Sequence, residues 1–119
     1  MAKVLRVTGD ERRLRIVGAL MRTQELCVCE LVDALRLPQY EVSRHLAQLK
    51  RIGLVVDQRD GLWVHYSIPA SVRRDPLLGS FLTLLDQGAS GPLGKGDLAR
   101  LEKRLALRDG ERCVVGFRA

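Results

Sequence analysis

Polar and apolar positions follow two different periods along this chain, and the change between them divides it. In residues 10–21, DERRLRIVGALM, the residues Leu14, Val17 and Met21 recur at helical spacing, with Thr8 or Asp10 placed to cap the start. Residues 22–26 read as a connector. A second helix is expected to begin near Cys27 and end near Leu35, with Leu31, Ala34 and Leu35 on one face. A third follows in LPQYEVSRHLAQLKRIG, where Val42, Leu46 and Leu49 form a buried stripe and Gly53 supplies the stop. The opposite side of that helix carries Gln39, Tyr40, Ser43, Arg44, Gln48 and Arg51.

From Leu54 the period becomes that of a strand. LVVDQRDGLWVHYSI holds two β-prone runs joined at Asp60-Gly61, a dipeptide suited to a tight hairpin. In the second run Leu62, Val64, Tyr66 and Ile68 alternate with Trp63, His65 and Ser67, so one face is expected to be buried and the other wet. After Pro76 comes LLGSFLTLLD, whose leucines exceed what one small domain needs to bury; a second subunit is the expected cover. GASGPLGKG reads as a flexible linker, and a last amphipathic helix is expected over 97–107, capped by Asp97, with Leu98, Leu101 and Leu105 in register. The expected class is mainly α (α+β). Residues 1–90 form one domain, and residues 91–119 a linker and tail.

Three helices followed by a hairpin describe a winged helix-turn-helix. Such a fold sets its second helix in the DNA major groove, where Gln and Arg can contact base edges bidentately. A solvated helix face is the competing account of the same polar residues. Charge shifts the balance: twenty Lys and Arg against fourteen Asp and Glu give a net +6, which favours a phosphate-bearing partner. The longest apolar run falls short of a membrane span and no signal peptide opens the chain, so the expected compartment is the cytoplasm. Three cysteines, an odd number in a reducing compartment, argue against a disulfide framework.

ELCVCELVDAL, then EVSRHLAQLKRIGLV, then DGLWVHYSI, together resemble the ArsR/SmtB group of bacterial metal-responsive repressors, and within it the arsenic- and antimony-sensing ones. The resemblance covers roughly residues 10–90. It implies a homodimer on an imperfectly palindromic operator, with the first and the post-wing helices at the dimer interface. It places Gln39, Tyr40, Ser43, Arg44, His45, Gln48 and Arg51 on the recognition helix and Arg59 at the wing tip, with no cofactor needed for DNA binding. His45 also lies close to the buried stripe, so a packing role competes with base contact. Two positions depart from relatives: Val32 stands where a third cysteine is frequent, and Pro38 where a capping Ser is usual.

Soft thiolates select thiophilic ions, and trivalent arsenic or antimony is the inducer this resemblance implies. Cys27 and Cys29 supply two sulfurs, and Cys113 is the third-ligand candidate, against the alternative that it fills apolar space beside Val114 and Val115. An inducer carrying an organic group needs only two. Residues i and i+2 do not face each other on a helix, so convergence of both sulfurs is expected to require the first turn to unwind or re-aim. Cd(II) or Pb(II) sensing and a thiol redox switch are the alternatives. A zinc sensor lacks the histidines it needs after the wing, and an enzyme lacks any oxyanion or cofactor loop.

Overall fold

Asp10 begins the second of two short helices that open the chain, and its capping fixes where that helix starts. The computed structural model describes residues 2–86 and 93–108. Helix α1 spans Ala2–Thr8, an element the sequence pattern left unassigned, and α2 spans Glu11–Met21. Asp10 is the α2 cap: its carboxylate accepts from the backbone N–H groups of Arg12 and Arg13 at 2.9 and 3.2 Å. Thr8 instead closes α1, its hydroxyl donating to the Val4 carbonyl. Capping holds the Asp10 carboxyl below its usual range, because those N–H groups and the Arg13 charge outweigh partial burial.

Strand β1 is Leu26–Cys27, and α3 follows without a gap as Val28–Leu35. Arg36, in the left-handed region at φ 55°, turns the chain into α4, Gln39–Arg51. Pro38 caps α4 with no side-chain oxygen to offer, as its ring dictates. The end of α4 is a Schellman arrangement: Gly53 at φ 81° lets its N–H reach the Lys50 carbonyl, while that of Leu54 reaches the Leu49 carbonyl. Val42, Leu46 and Leu49 are completely buried, as their spacing requires.

The hairpin comprises β2, Val56–Asp60, and β3, Trp63–Ser67. Its turn is Gly61-Leu62, one residue later than expected, with the positive φ of 62° at Gly61. The sheet has three strands in the order β1-β3-β2, because Leu26 and Cys27 pair with Tyr66 and His65. This third strand changes the reading of the alternation. Tyr66 does turn to the core, but the Trp63 and His65 face is not left wet; it meets the cysteine segment. Leu62, at the turn, is 93% exposed.

Helices α5, Ala70–Arg74, and α6, Pro76–Leu85, follow the wing. Leu82 of α6 is buried while Leu77 and Leu84 are exposed, as is Leu5 of α1. Helix α7, Asp97–Leu105, packs along α3, and its Leu101 belongs to the same core as Leu31 and Leu46. Gly96, not Asp97, is its cap. Asp97 is fully buried and gathers Arg15 (2.8 Å), Arg100 (2.6 Å) and the Gly94 N–H (2.7 Å). Burial pushes its carboxyl upward, but these donors outweigh it and hold the pKa below the ordinary carboxylate range.

His45 corrects an expectation. It is 2% exposed, packed under α4, so its ring does not lie on the outward face. Arg13 passes across it: one guanidinium nitrogen lies 3.4 Å from His45 Nδ1 and donates to Gln48 Oε1 at 2.6 Å, while Nε donates to the Val7 carbonyl. Burial, together with the Arg13 and Arg44 charges, pulls the His45 pKa below the usual imidazole value against the opposing pull of Asp10 and Glu41.

Two outcomes are expected. Arg15→Ala leaves Asp97 buried with one cation fewer and lowers unfolding stability by about 3 kcal/mol, read from the urea midpoint. Because the Asp97 pKa is depressed, its stabilisation is complete above about pH 4 and is lost as pH falls further. The depressed His45 pKa has its own window: below about pH 6.5 the unfolded chain takes up a proton that the folded chain resists. Stability of the wild type therefore declines from neutrality toward pH 5, and His45→Leu flattens that part of the profile.

Candidate nucleic-acid interface and thiol site

Helical geometry selects which α4 side chains face outward. Tyr40, then Ser43 and Arg44, then Ala47 and Arg51 recur at three- and four-residue spacing, and all are exposed. Tyr40 is 71% exposed, an unusual position for an aromatic ring without an external partner. Ala47 offers no hydrogen bond, so residue type alone does not single it out. Its place on the stripe is readable from spacing alone, and its small side chain lets the backbone approach a surface closely. Gln39, on the flank of this face, is also exposed.

Gln48 is half-buried and turned toward α2, its carbonyl oxygen occupied by Arg13. Arg12 of α2 reaches Glu41 at 2.7 Å while remaining about half exposed, which places a second cation at the start of α4. Arg59, next to the wing turn, is exposed, and Lys50 is held at 3.0 Å by Asp57 of β2. The cationic groups Arg12, Arg44, Arg51 and Arg59 thus lie on α2, α4 and the wing of a helix-turn-helix, the arrangement that positions a protein on a phosphate backbone.

The cysteines sit at the start of α3, and the helix boundary falls between them. Cys27 is the extended cap residue (φ −81°, ψ 159°), while Cys29 lies in the first helical turn. The segment is therefore not the unbroken helix that the i, i+2 spacing was set against: Cys27 stands outside the regular helix and Cys29 inside it. The two side chains already pack together, each 2% exposed, with Trp63 of β3 against them. His65 approaches from the same face of β3, its Nδ1 3.3 Å from Cys27 Sγ, with Glu25 Oε1 3.6 Å from the same nitrogen. Neither Trp63, His65 nor Glu25 was selected by sequence spacing, because the strand pairing that brings them together is non-local.

Glu30 fixes this corner. Its carboxylate is fully buried, three residues into the helix, and accepts from the Cys27 backbone N–H at 3.0 Å, half of a capping box. Arg108 grips the same carboxylate with two nitrogens at 2.7 and 2.8 Å and also donates to the Glu25 carbonyl. Arg104 pairs with Asp33 at 2.7 Å and Arg100 donates to the Ala34 carbonyl, so three arginines at four-residue spacing run along α3. Among the described residues no three His, Cys, Asp or Glu side chains are grouped as a metal would need. Cys113 lies outside the described residues. No helix among the described residues is long and apolar enough to cross a membrane.

Comparison with known proteins agrees with this geometry. The pattern of the family described as "Bacterial regulatory protein, arsR family" matches residues 10–56, from the α2 cap to the first residue of the wing. The arsenic resistance transcriptional regulator ArsR1 of Pseudomonas putida is 45% identical over 69 residues, 58% of this chain and 54% of that protein. The arsenical resistance operon repressor of Escherichia coli is 46% identical over 66 residues, 56% of each. The chain spans little more than half the length of these two relatives. Among solved structures, reduced HlyU from Vibrio cholerae superposes with a TM-score of 0.62 at 32% identity, over 72% of this chain and 84% of that one. With a winged helix-turn-helix matched over most of a solved regulator and the family pattern running through α2, α3 and α4, the chain belongs to the arsR family of bacterial regulatory proteins.

Proposed function

We propose that this protein is a homodimeric transcriptional repressor, acting in the cytoplasm, that binds operator DNA of a metalloid-resistance operon and is released by trivalent arsenic or antimony held by cysteine thiolates. The observation that carries the reading is the pairing of Cys27 and Cys29 at the α3 cap, one helix away from the outward face of α4. The names of the two arsenic-resistance relatives support the choice of ion. Tyr40, Ser43, Arg44 and Gln39 are the α4 residues assigned to the major groove, with Arg51 and Arg59 on phosphate. Gln48 contacts DNA only through its amide nitrogen, since Arg13 occupies its oxygen. Leu77 and Leu84 of α6 and Leu5 of α1 supply the apolar surface for a second protomer.

The third sulfur is assigned to Cys113, of the same protomer or of its partner. Arg108 is tied to Glu30 and Glu25, so residue 113 starts five positions from a point beside the cysteine pair; that length of chain spans at most about 17 Å. Because ion and DNA bind linked states, the factor by which the ion weakens operator affinity equals the factor by which DNA weakens ion affinity.

Three measurements test this. Arsenite is expected to weaken binding to a duplex spanning the promoter of the protein's own gene by about 5- to 150-fold, the usual range of such coupling. Cys27→Ser and Cys29→Ser retain DNA binding and lose the response. Release by Cd(II), Pb(II) or peroxide but not by arsenite replaces the metalloid with one of those inducers. X-ray absorption of the arsenite complex shows three sulfurs in wild type and two in Cys113→Ser. Arg51→Ala weakens DNA binding across sequences and lowers the slope of log affinity against log salt by about one, whereas Arg44→Ala relaxes base preference.

A further inference from the structure

The thiol pair is walled on one side by the wing. Trp63 and His65 are two residues apart on β3 and therefore share a face of that strand. Trp63 packs on both cysteines, and His65 meets Cys27 Sγ at 3.3 Å, directly across the ladder in which Cys27 pairs with His65. His65 is in turn paired across β3 with Gln58 of β2, the strand that carries Arg59. A line of cross-strand neighbours thus connects Cys27 to the exposed edge of the wing. An ion taking up the Cys27 sulfur competes with His65 for that sulfur and presses against the Trp63 ring.

We propose that His65 and Trp63 are positioning residues that couple occupancy of the cysteine pair to the wing, so that the wing, and not only α4, reports the inducer to DNA. The proposal rests on metalloid induction at Cys27 and Cys29. The Cys27–His65 hydrogen bond belongs to the DNA-competent arrangement and is given up when the sulfur is engaged. A ligand shifts an equilibrium only through contacts that differ between the two states, and this contact differs.

The sign of the expected effect separates coupling from simple structural support. His65→Phe removes a contact made only in the ion-free state, so operator affinity without arsenite falls by about fivefold, within the range of one hydrogen bond. Affinity at saturating arsenite is unchanged, and the arsenite response shrinks by the same factor. His65→Asn, whose side-chain amide can reach the Nδ1 position, restores most of the response. Trp63 is the sole tryptophan of the chain, so its emission reads the wall directly: arsenite shifts it in wild type and in His65→Phe, but not in Cys27→Ser. Equal losses with and without arsenite in His65→Phe, or an emission unmoved by arsenite in a wild type that is released from DNA, overturn the coupling. A wild type that arsenite does not release overturns the inducer reading itself, and this coupling with it.

Discussion

A carboxylate cannot be buried without donors, and the placement of Glu30 obliges the rest of the site to arrange itself around that fact. The Cys27 N–H and the Arg108 fork answer it. The first contact keeps residue 27 extended, so that the helix begins one residue later and the two sulfurs share a pocket. The second draws α7 along the outer side of α3. Helix α3 is therefore held by its ends and flank through charge, while Leu31 and Leu35 hold its inner face by burial. A helix of eight residues has little intrinsic stability, and these external ties are what fix its position.

From that anchored helix the two functional surfaces follow in opposite directions along the chain. Forward, Arg36 and Pro38 turn the backbone into α4, whose polar stripe faces away from the core. Backward, β1 joins the sheet and brings the wing against the cysteines. The cysteine pair is thus adjacent both to α4 and to the wing. Neither connection needs a long-range rearrangement, since each runs through a single backbone turn or a single pair of strands.

Helices α2 and α4 were legible because their information is local: Val42, Leu46 and Leu49 announce a buried stripe by spacing alone, and Asp10 precedes two free N–H groups. The position of the cysteines near a helix start was legible for the same reason. What spacing could not reveal is anything carried by pairing across distance. A two-residue strand such as Leu26–Cys27 has no periodicity of its own, and only Tyr66 and His65 make it a strand. This is why the Trp63 face looked wet. His45 was legible only as two alternatives, packing or base contact; it belongs to the buried side, with Arg13 across its ring. Asp97 looked like a cap by its position, but the half-buried Arg15 took its carboxylate.

Arg100 and Arg104 of α7 and Arg108 just beyond it are four residues apart, and their acceptors on α3 and in the preceding segment are equally fixed. Sliding one helix against the other by a single residue rotates every guanidinium by about 100°, away from all its acceptors at once. The attachment thus works like a keyed joint, with one seated position and no graded neighbours. Its last tooth, Arg108, closes on the Glu25 carbonyl, so the joint also fixes the backbone that leads into the cysteine pair.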